Sequence, residues 1–313
     1  MINLPDSPRS LGDLVGLGFR LVRKNWKSIV SIFLVPSLFF SMALSGSQFC
    51  FVHWVQAQSL DPGFFAVHMA CGLGLVLVMI ACQWEIALRS CAFIRCVLSI
   101  DKEYSVAYEY ARGRQREIMT VYAVSFMLPT LVAIIWTLLF VSTLYLGTGD
   151  TLGKVLCIVL GFLEGLTFVV AFSYSLLYTA IAFVAVCGTE SGIKDSLKEV
   201  FVLSGTAVMR GLSYTCLLLI SIFIVTLPLY LPVIFLGIWE GYVQGKMDEI
   251  NFPVYLRVLE AISSCIINML SLGAALSGVA LFCRDVKMRR QGLDIDEGLS
   301  KMAYLPSSHQ SKH

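Results

Sequence analysis

The charged residues of this 313-residue chain are concentrated in short stretches, and long uncharged runs separate them. A helix that crosses a bilayer needs about 20 consecutive, mostly apolar residues. Six runs reach that length if the fourth is allowed to contain one charged residue, Glu164. The pattern therefore predicts an all-α, polytopic membrane bundle of about six transmembrane helices, at 28–50, 64–96, 118–146, 154–187, 211–239 and 255–283.

Composition supports a membrane protein. Hydrophobic residues make up 57% of the chain and charged residues 14%, with a mean hydropathy of +0.79, whereas soluble domains carry roughly a quarter charged residues. The first run is much longer than the apolar part of a signal peptide, so we expect it to be retained as a helix. The ten cysteines lie almost entirely in the predicted spans and form no Cys-x-x-Cys pair. We therefore expect neither a disulfide framework nor a metal or other cofactor.

Positive charge is distributed unevenly across the predicted topology. Of the 23 lysine and arginine residues, only Lys154, Lys246 and Arg257 fall on one side of the six spans. Because short, positively charged loops stay in the cytoplasm, we expect a protein of the cell (inner) membrane with both termini cytoplasmic. A basic cluster follows the last span and consists of Arg284, Lys287, Arg289 and Arg290.

Basic residues close to a membrane surface also attract anionic headgroups. The partners that we expect are accordingly the lipids of the bilayer, including anionic lipids. The sequence leaves protein partners open and gives no indication of nucleic-acid binding.

A weak threefold repeat runs through the chain. An amphipathic segment precedes each odd-numbered span, at 10–27, 105–116 and 191–204, and Ser10 with Asp13 is typical of a helix-capping box. The repeat predicts three units of about ninety residues, each a surface helix followed by a membrane hairpin. We assign 1–285 to a single membrane domain and 286–313 to a cytoplasmic tail.

Each odd-numbered span also contains proline, at Pro36, Pro129 and the pair Pro228 and Pro232. Proline removes a backbone donor and can kink a helix, so the three spans could line one central region. Alternatively, the prolines reflect only their higher frequency in membrane helices. Mitochondrial carriers share the three-hairpin layout, but their Pro-x-Asp/Glu-x-x-Lys/Arg motif is absent after Pro36 and Pro129.

Ionisable residues within the spans are the first candidates for function, because a charge at the bilayer centre costs about 2.5 kcal/mol or more. Glu85 precedes Arg89 by one helical turn, in the favourable order for an ion pair. Glu164 and Glu240 share a Gly-x-x-Glu-Gly pattern, and glycines four apart let helices approach closely. Each of these two glutamates could lie at a helix contact or cavity, or the pattern could reflect close packing alone.

Catalytic motifs are missing from the sequence. It contains no His-Glu-x-x-His, no Gly-x-Ser-x-Gly and no Walker loop. The segment 147–150 matches the Gly-x-Gly-Asp of intramembrane aspartyl proteases, but no Tyr-Asp supplies the second carboxylate that such chemistry needs. We therefore do not expect an enzyme.

Two stretches carry a family resemblance. Residues 11–27, Leu-Gly-Asp-Leu-Val-Gly-Leu-Gly-Phe-Arg-Leu-Val-Arg-Lys-Asn-Trp-Lys, resemble the start of a bacterial family of six-helix membrane proteins. That family is related to the membrane domain found beside some glycerophosphodiester phosphodiesterases. Residues 285–294 resemble the family's closing Asp-x-Arg-x-Arg-x-Glu-Gly-x-Asp, with Lys287 in place of an arginine and Gln291 in place of the glutamate. The resemblance implies a fold and a topology. It implies no phosphodiesterase activity, which belongs to a separate barrel of about 250 residues.

Two functions remain open at this stage. The first is a non-enzymatic membrane module that organises or handles lipid or envelope components, and the sparse polar inventory of the spans favours it. The alternative is a small-solute or lipid transporter or channel that uses Glu164 and the kinked odd-numbered helices. A cavity near the bilayer midplane, reached by Glu164, would favour the alternative.

Overall fold

The structure, a computed structural model, describes residues 9–57, 62–146, 151–188, 198, 208–244 and 254–290. Within those ranges it shows eight helices and no strand, which confirms the all-α fold class. The helices are α1 (Leu11–Lys24), α2 (Trp26–Ala57), α3 (Pro62–Val97), α4 (Tyr104–Gly113), α5 (Gln115–Leu146), α6 (Thr151–Gly188), α7 (Val208–Gln244) and α8 (Val254–Arg290). Apart from Lys198, the predicted amphipathic segment 191–204 lies outside the described residues, as does the predicted tail beyond Arg290.

Six of these helices are long and apolar enough to cross a membrane, namely α2, α3, α5, α6, α7 and α8. The chain is thus a multi-pass membrane protein. They contain 32 to 38 residues each, or about 48–57 Å at 1.5 Å per residue, whereas the hydrocarbon core of a bilayer is only about 30 Å thick. A substantial part of each helix therefore extends beyond the acyl chains.

Exposed apolar side chains mark the part of each helix that faces lipid. Large exposed hydrophobic residues run over 67–84 in α3, 124–144 in α5 and 155–174 in α6. At 1.5 Å per residue each stretch covers about 25–30 Å, which matches the hydrocarbon thickness. We call these three stretches the lipid band.

The buried core lies beyond one edge of the lipid band. It is formed by 86–94 of α3, 177–187 of α6 and 279–286 of α8, together with the apolar face of α1. We call this region the core end of the bundle. Charged groups can be accommodated there because they are paired within the packed helices rather than exposed to acyl chains.

Helix α1 belongs to the core end. The backbone N–H of Asp13 donates to the Ser10 hydroxyl oxygen at 3.2 Å, so the predicted cap is present. Its buried face packs mainly on α8, where a Cβ at Gly18 would lie 3.4 Å from the Cα of Gly278. Glycine at both positions therefore allows the two helix backbones to approach closely.

Helix α8 is central to the bundle and packs against α1, α2, α6 and α7. Two of the proline-containing helices, α2 and α7, pack against α8, while the third, α5, packs mainly on α6. In the described ranges the three proline-containing helices make no extensive contact with one another.

Candidate functional site

Glu85 and Arg89 lie on α3 at the edge of the lipid band and form the ion pair that their spacing indicates. Arg89 Nε is 2.6 Å from Glu85 Oε1, and another guanidinium nitrogen donates to the carbonyl of Ile32. The Tyr108 hydroxyl donates to the same carboxylate at 3.0 Å. Burial, and then this hydrogen bond, raise the pKa of Tyr108, so the phenol stays a donor. These contacts link α2, α3 and α4, so the cluster stabilises the packing of the three helices.

Arg95 forms a second buried ion pair at the core end. Its side chain is 4% exposed, its Nε lies 2.5 Å from Asp101 Oδ2, and its guanidinium stacks 3.6 Å from the Tyr110 ring centroid. Asp101 reaches Arg95 because the chain reverses after α3 at Ser99, which has a φ of 58°. The Ile100 N–H closes this turn by donating to the Arg95 carbonyl at 3.0 Å. The sequence pattern indicated Arg95 only as one of the unevenly distributed positive charges and did not predict its ion pair with Asp101.

Asp285 is the centre of a third network, and its side chain is fully buried. One carboxylate oxygen accepts the backbone N–H of Arg9 at 2.7 Å. The other accepts from Arg210 at 2.8 Å and from Arg289 at 3.0 Å. Both guanidinium groups also donate to the Arg9 carbonyl. Asp285 therefore fastens the segment before α1 to α7 and α8.

A groove of about 250 Å³ opens beside this network at the core end. Two members of the predicted basic cluster, Arg284 and Lys287, lie at this groove, whereas Arg289 turns toward Asp285. The side chain of Arg290 lies outside the described set. We define the basic groove by Arg284 and Lys287 and by its apolar wall of Leu98, Ile100, Ile181, Val184 and Ala185. Two cations beside an apolar wall suit an amphiphilic anion.

Glu164 lies at the middle of the lipid band of α6, nine residues after Val155 and ten before Tyr174. Its Oε1 accepts a hydrogen bond from the Thr143 hydroxyl at 2.6 Å. Its Oε2 is buried and has no hydrogen-bond partner within the described structure. The indole N–H of Trp136 donates to the Glu164 carbonyl oxygen at 3.1 Å.

A cavity of about 210 Å³ adjoins this carboxyl group between α5 and α6. We call it the Glu164 cavity. Apart from Glu164 its lining is mostly aromatic and apolar and comprises Ala133, Trp136, Thr137, Phe140, Gly165 and Phe168. A buried carboxyl oxygen without a partner at this depth is the strongest chemical feature that the described helices present.

Glu240 occupies a different environment at the far end of α7. It accepts a hydrogen bond from the Tyr255 hydroxyl of α8, and this contact ties the two helices together away from the core end. The structure does not bring Glu240 to the Glu164 cavity. The two copies of the Gly-x-x-Glu-Gly pattern thus differ in their surroundings. Glu240 lies at a contact between α7 and α8, and Glu164 lies beside a cavity.

In the ranges that the structure describes, no three His, Cys, Asp or Glu side chains converge as metal ligands would. Comparison with known proteins gives no family, since no family model, curated protein or solved structure matches this chain. Fold and geometry therefore define the class, a multi-pass all-α membrane protein with paired charges at one end of its bundle.

Proposed function

We propose that this protein is a non-enzymatic module of the cell (inner) membrane that handles membrane lipids, with both termini in the cytoplasm. The observation that carries the proposal is the basic groove, where Arg284 and Lys287 lie beside an apolar wall. The charge asymmetry of the sequence supports a cytoplasmic location for this end. An anionic phospholipid would place its headgroup on the two cations and an acyl chain along the wall.

The position of the basic groove fits a lipid ligand. It lies beyond the lipid band of α6, between Ile181 and Gly188, on the side of the bundle where the basic residues are concentrated. Basic residues near an anionic membrane surface contribute about 1 kcal/mol each. Two such residues suffice to favour anionic over zwitterionic lipid but not to hold one lipid irreversibly, which suits a protein that exchanges lipids.

Replacing both groove cations, Arg284→Gln with Lys287→Gln, should weaken retention of anionic lipid by about thirtyfold, the equivalent of about 2 kcal/mol. Native mass spectrometry of protein released from nanodiscs that contain phosphatidylglycerol and phosphatidylcholine would count the retained lipids. The loss should fall on phosphatidylglycerol, because the charge and not the apolar wall is removed.

The matched control is Arg112→Gln with Arg116→Gln, which removes the same charge from exposed positions near the end of α4 and at the start of α5. This control should retain phosphatidylglycerol at nearly the wild-type level. Equal losses in the two double variants would reject the basic groove as a site and leave only a general surface charge.

The threefold repeat and the resemblance of 11–27 and 285–294 to the six-helix bacterial family are part of the same proposal. Asp285, the first residue of the closing stretch, holds Arg9 two residues before the opening stretch, and α1 packs on α8, so the two stretches start close together in space. Such a clamp would hold the first surface helix in a fixed place on the membrane hairpins.

A second candidate function, a transporter or channel for a small solute or lipid, is favoured by the Glu164 cavity. The cavity lies within the lipid band and is reached by the carboxyl group of Glu164. A module that only binds headgroups at the surface would not require such a group, which is costly at that depth.

A further inference from the structure

We propose that the Glu164 cavity binds the ammonium group of a lipophilic amine, an organic cation with an alkyl tail that enters from the acyl-chain region. Glu164 supplies the counter-charge, and Trp136, Phe140 and Phe168 supply an aromatic wall. The inference deepens the transport candidate by naming its ligand class. Movement of the ligand across the membrane rests on the proposed transport function, whereas binding of the ligand does not.

The carboxyl group of Glu164 has an incomplete set of hydrogen-bond partners within the lipid band. An ionised carboxylate at mid-depth of the bilayer costs about 2.5 kcal/mol or more. Thr143 compensates only Oε1, and Oε2 stays buried without a partner in the described helices. A bound cation would satisfy this second oxygen and neutralise the charge at the same time.

The groups around the cavity suit an organic cation better than a metal ion. Metal ions of the magnesium and calcium type require about six oxygen ligands, whereas the described side chains around the cavity offer one carboxyl group and the hydroxyls of Thr137, Thr143 and Thr167. The hydroxyl of Thr137 donates to the Ala133 carbonyl at 2.8 Å, and that of Thr143 donates to Glu164 itself. The oxygens present are too few to replace the hydration shell of a small inorganic cation.

Aromatic rings, in contrast, suit an organic ammonium group. The Trp136 and Phe168 ring centroids lie 6.4 Å apart, and both rings line the cavity. A cation over an aromatic face gains about 2 kcal/mol when it is desolvated, and quaternary ammonium ligands are recognised in this way. Carboxylate and aromatic wall together therefore select a weakly hydrated, alkylated cation.

The surroundings and the volume of the Glu164 cavity fit a ligand whose tail stays in the bilayer. The α5 and α6 surfaces around the cavity expose large apolar side chains, among them Leu139, Leu163 and Leu166, so the surroundings are acyl chains. The volume of about 210 Å³ is below the range of about 300–1,000 Å³ typical of sites that enclose a drug-sized ligand. The cavity thus accommodates a head of trimethylammonium size, while the tail remains in the bilayer.

The test is equilibrium binding of radiolabelled octyltrimethylammonium to the full-length protein in phosphatidylglycerol nanodiscs. The wild type should show a saturable component above linear partitioning. Glu164→Gln should weaken that component by about tenfold or more, and Trp136→Leu by several-fold. Octanol and octyl sulfate, which share the tail but lack the positive charge, should not displace the ligand.

Glu240→Gln is the matched control, because it makes the same substitution in the same Gly-x-x-Glu-Gly pattern away from the cavity, and it should bind as the wild type does. Phosphatidylcholine in the nanodisc should not compete, since its headgroup lies about 15 Å from mid-depth. The proposal is overturned if Glu164→Gln, folded as judged by its unfolding midpoint, binds like the wild type. Displacement by octanol, or competition by phosphatidylcholine, would overturn it equally.

Uptake of the same probe into proteoliposomes separates the binding site from transport. Saturable binding that requires Glu164 together with Glu164-dependent uptake supports both inferences. Saturable binding without uptake rejects the transport candidate and retains the ammonium site. Neither result affects the basic groove, which is measured through phosphatidylglycerol retention at Arg284 and Lys287.

Discussion

Asp285→Ala should lower the free energy of unfolding by about 2–4 kcal/mol, the largest effect that we expect for an ionisable residue in the described part of the chain. Breaking a fully buried ion pair costs about 3–5 kcal/mol because the remaining charge is uncompensated. Here the cost is lower, because the side chains of Arg210 and Arg289 are 28% and 36% exposed. Here the variant would leave both Arg210 and Arg289 without the carboxylate and the Arg9 N–H without its acceptor. Titration of the folded protein with sodium dodecyl sulfate in mixed micelles, followed by tryptophan fluorescence, measures the change.

The control for Asp285 is Glu109→Ala, which removes an exposed carboxylate from α4 and should change the same free energy by no more than about 0.5 kcal/mol. Asp285→Asn should fall between the two, because its amide keeps an acceptor oxygen but loses the charge. A loss below about 1 kcal/mol for Asp285→Ala would show that the network does not hold the segment before α1 in place.

The six membrane helices were predictable because bilayer thickness sets a minimum apolar length that little else produces. The residues at which these helices begin and end were not predictable in the same way. The predicted spans end at residues 239 and 283, whereas α7 continues to Gln244 and α8 to Arg290. Hydropathy reports the part of a helix that contacts acyl chains. The remaining turns carry charges that a hydropathy pattern excludes and that packing at the core end accommodates.

Candidate residues were predictable to the extent that their partners are close in sequence. Glu85 and Arg89 are one helical turn apart, so their pair could be read from the spacing. Asp285 meets Arg210 and Arg9, which are 75 and 276 positions away, and no local pattern connects them. Such contacts depend on how α7 and α8 pack, which is tertiary information.

Glu164 illustrates an intermediate case. Its isolation in an apolar run identified it as a candidate, since an ionisable residue within a span is rarely neutral in function. The groups that give the cavity its chemistry come from α5, where Thr143 is 21 positions away and Trp136 is 28. The sequence therefore indicated the charge, and only the hairpin packing revealed the aromatic wall beside it.

Gly278→Ala should lower the free energy of unfolding by about 1–3 kcal/mol, the cost of adding a methyl group to a packed core. A Cβ at this position would lie 2.7 Å from Tyr214 Oη and 3.3 Å from a methyl carbon of Leu218. Tyr214 is fully buried and stacks on Phe282 with ring centroids 4.7 Å apart, so it has little room to move. The same unfolding titration in mixed micelles provides the measurement.

Gly16→Ala is the matched control, and it should have the opposite sign. A Cβ at Gly16 meets nothing within 4 Å, and alanine is favoured over glycine inside a helix by about 0.5–1 kcal/mol. The contact with Tyr214 is tested by Tyr214→Phe. That change removes a buried hydroxyl that has no partner in the described residues, so it should cost little alone and should recover much of the loss in Gly278→Ala. An equal loss with tyrosine or phenylalanine at 214 would instead place the strain on Leu218, whose two methyl carbons lie 3.3 and 3.4 Å from the added Cβ.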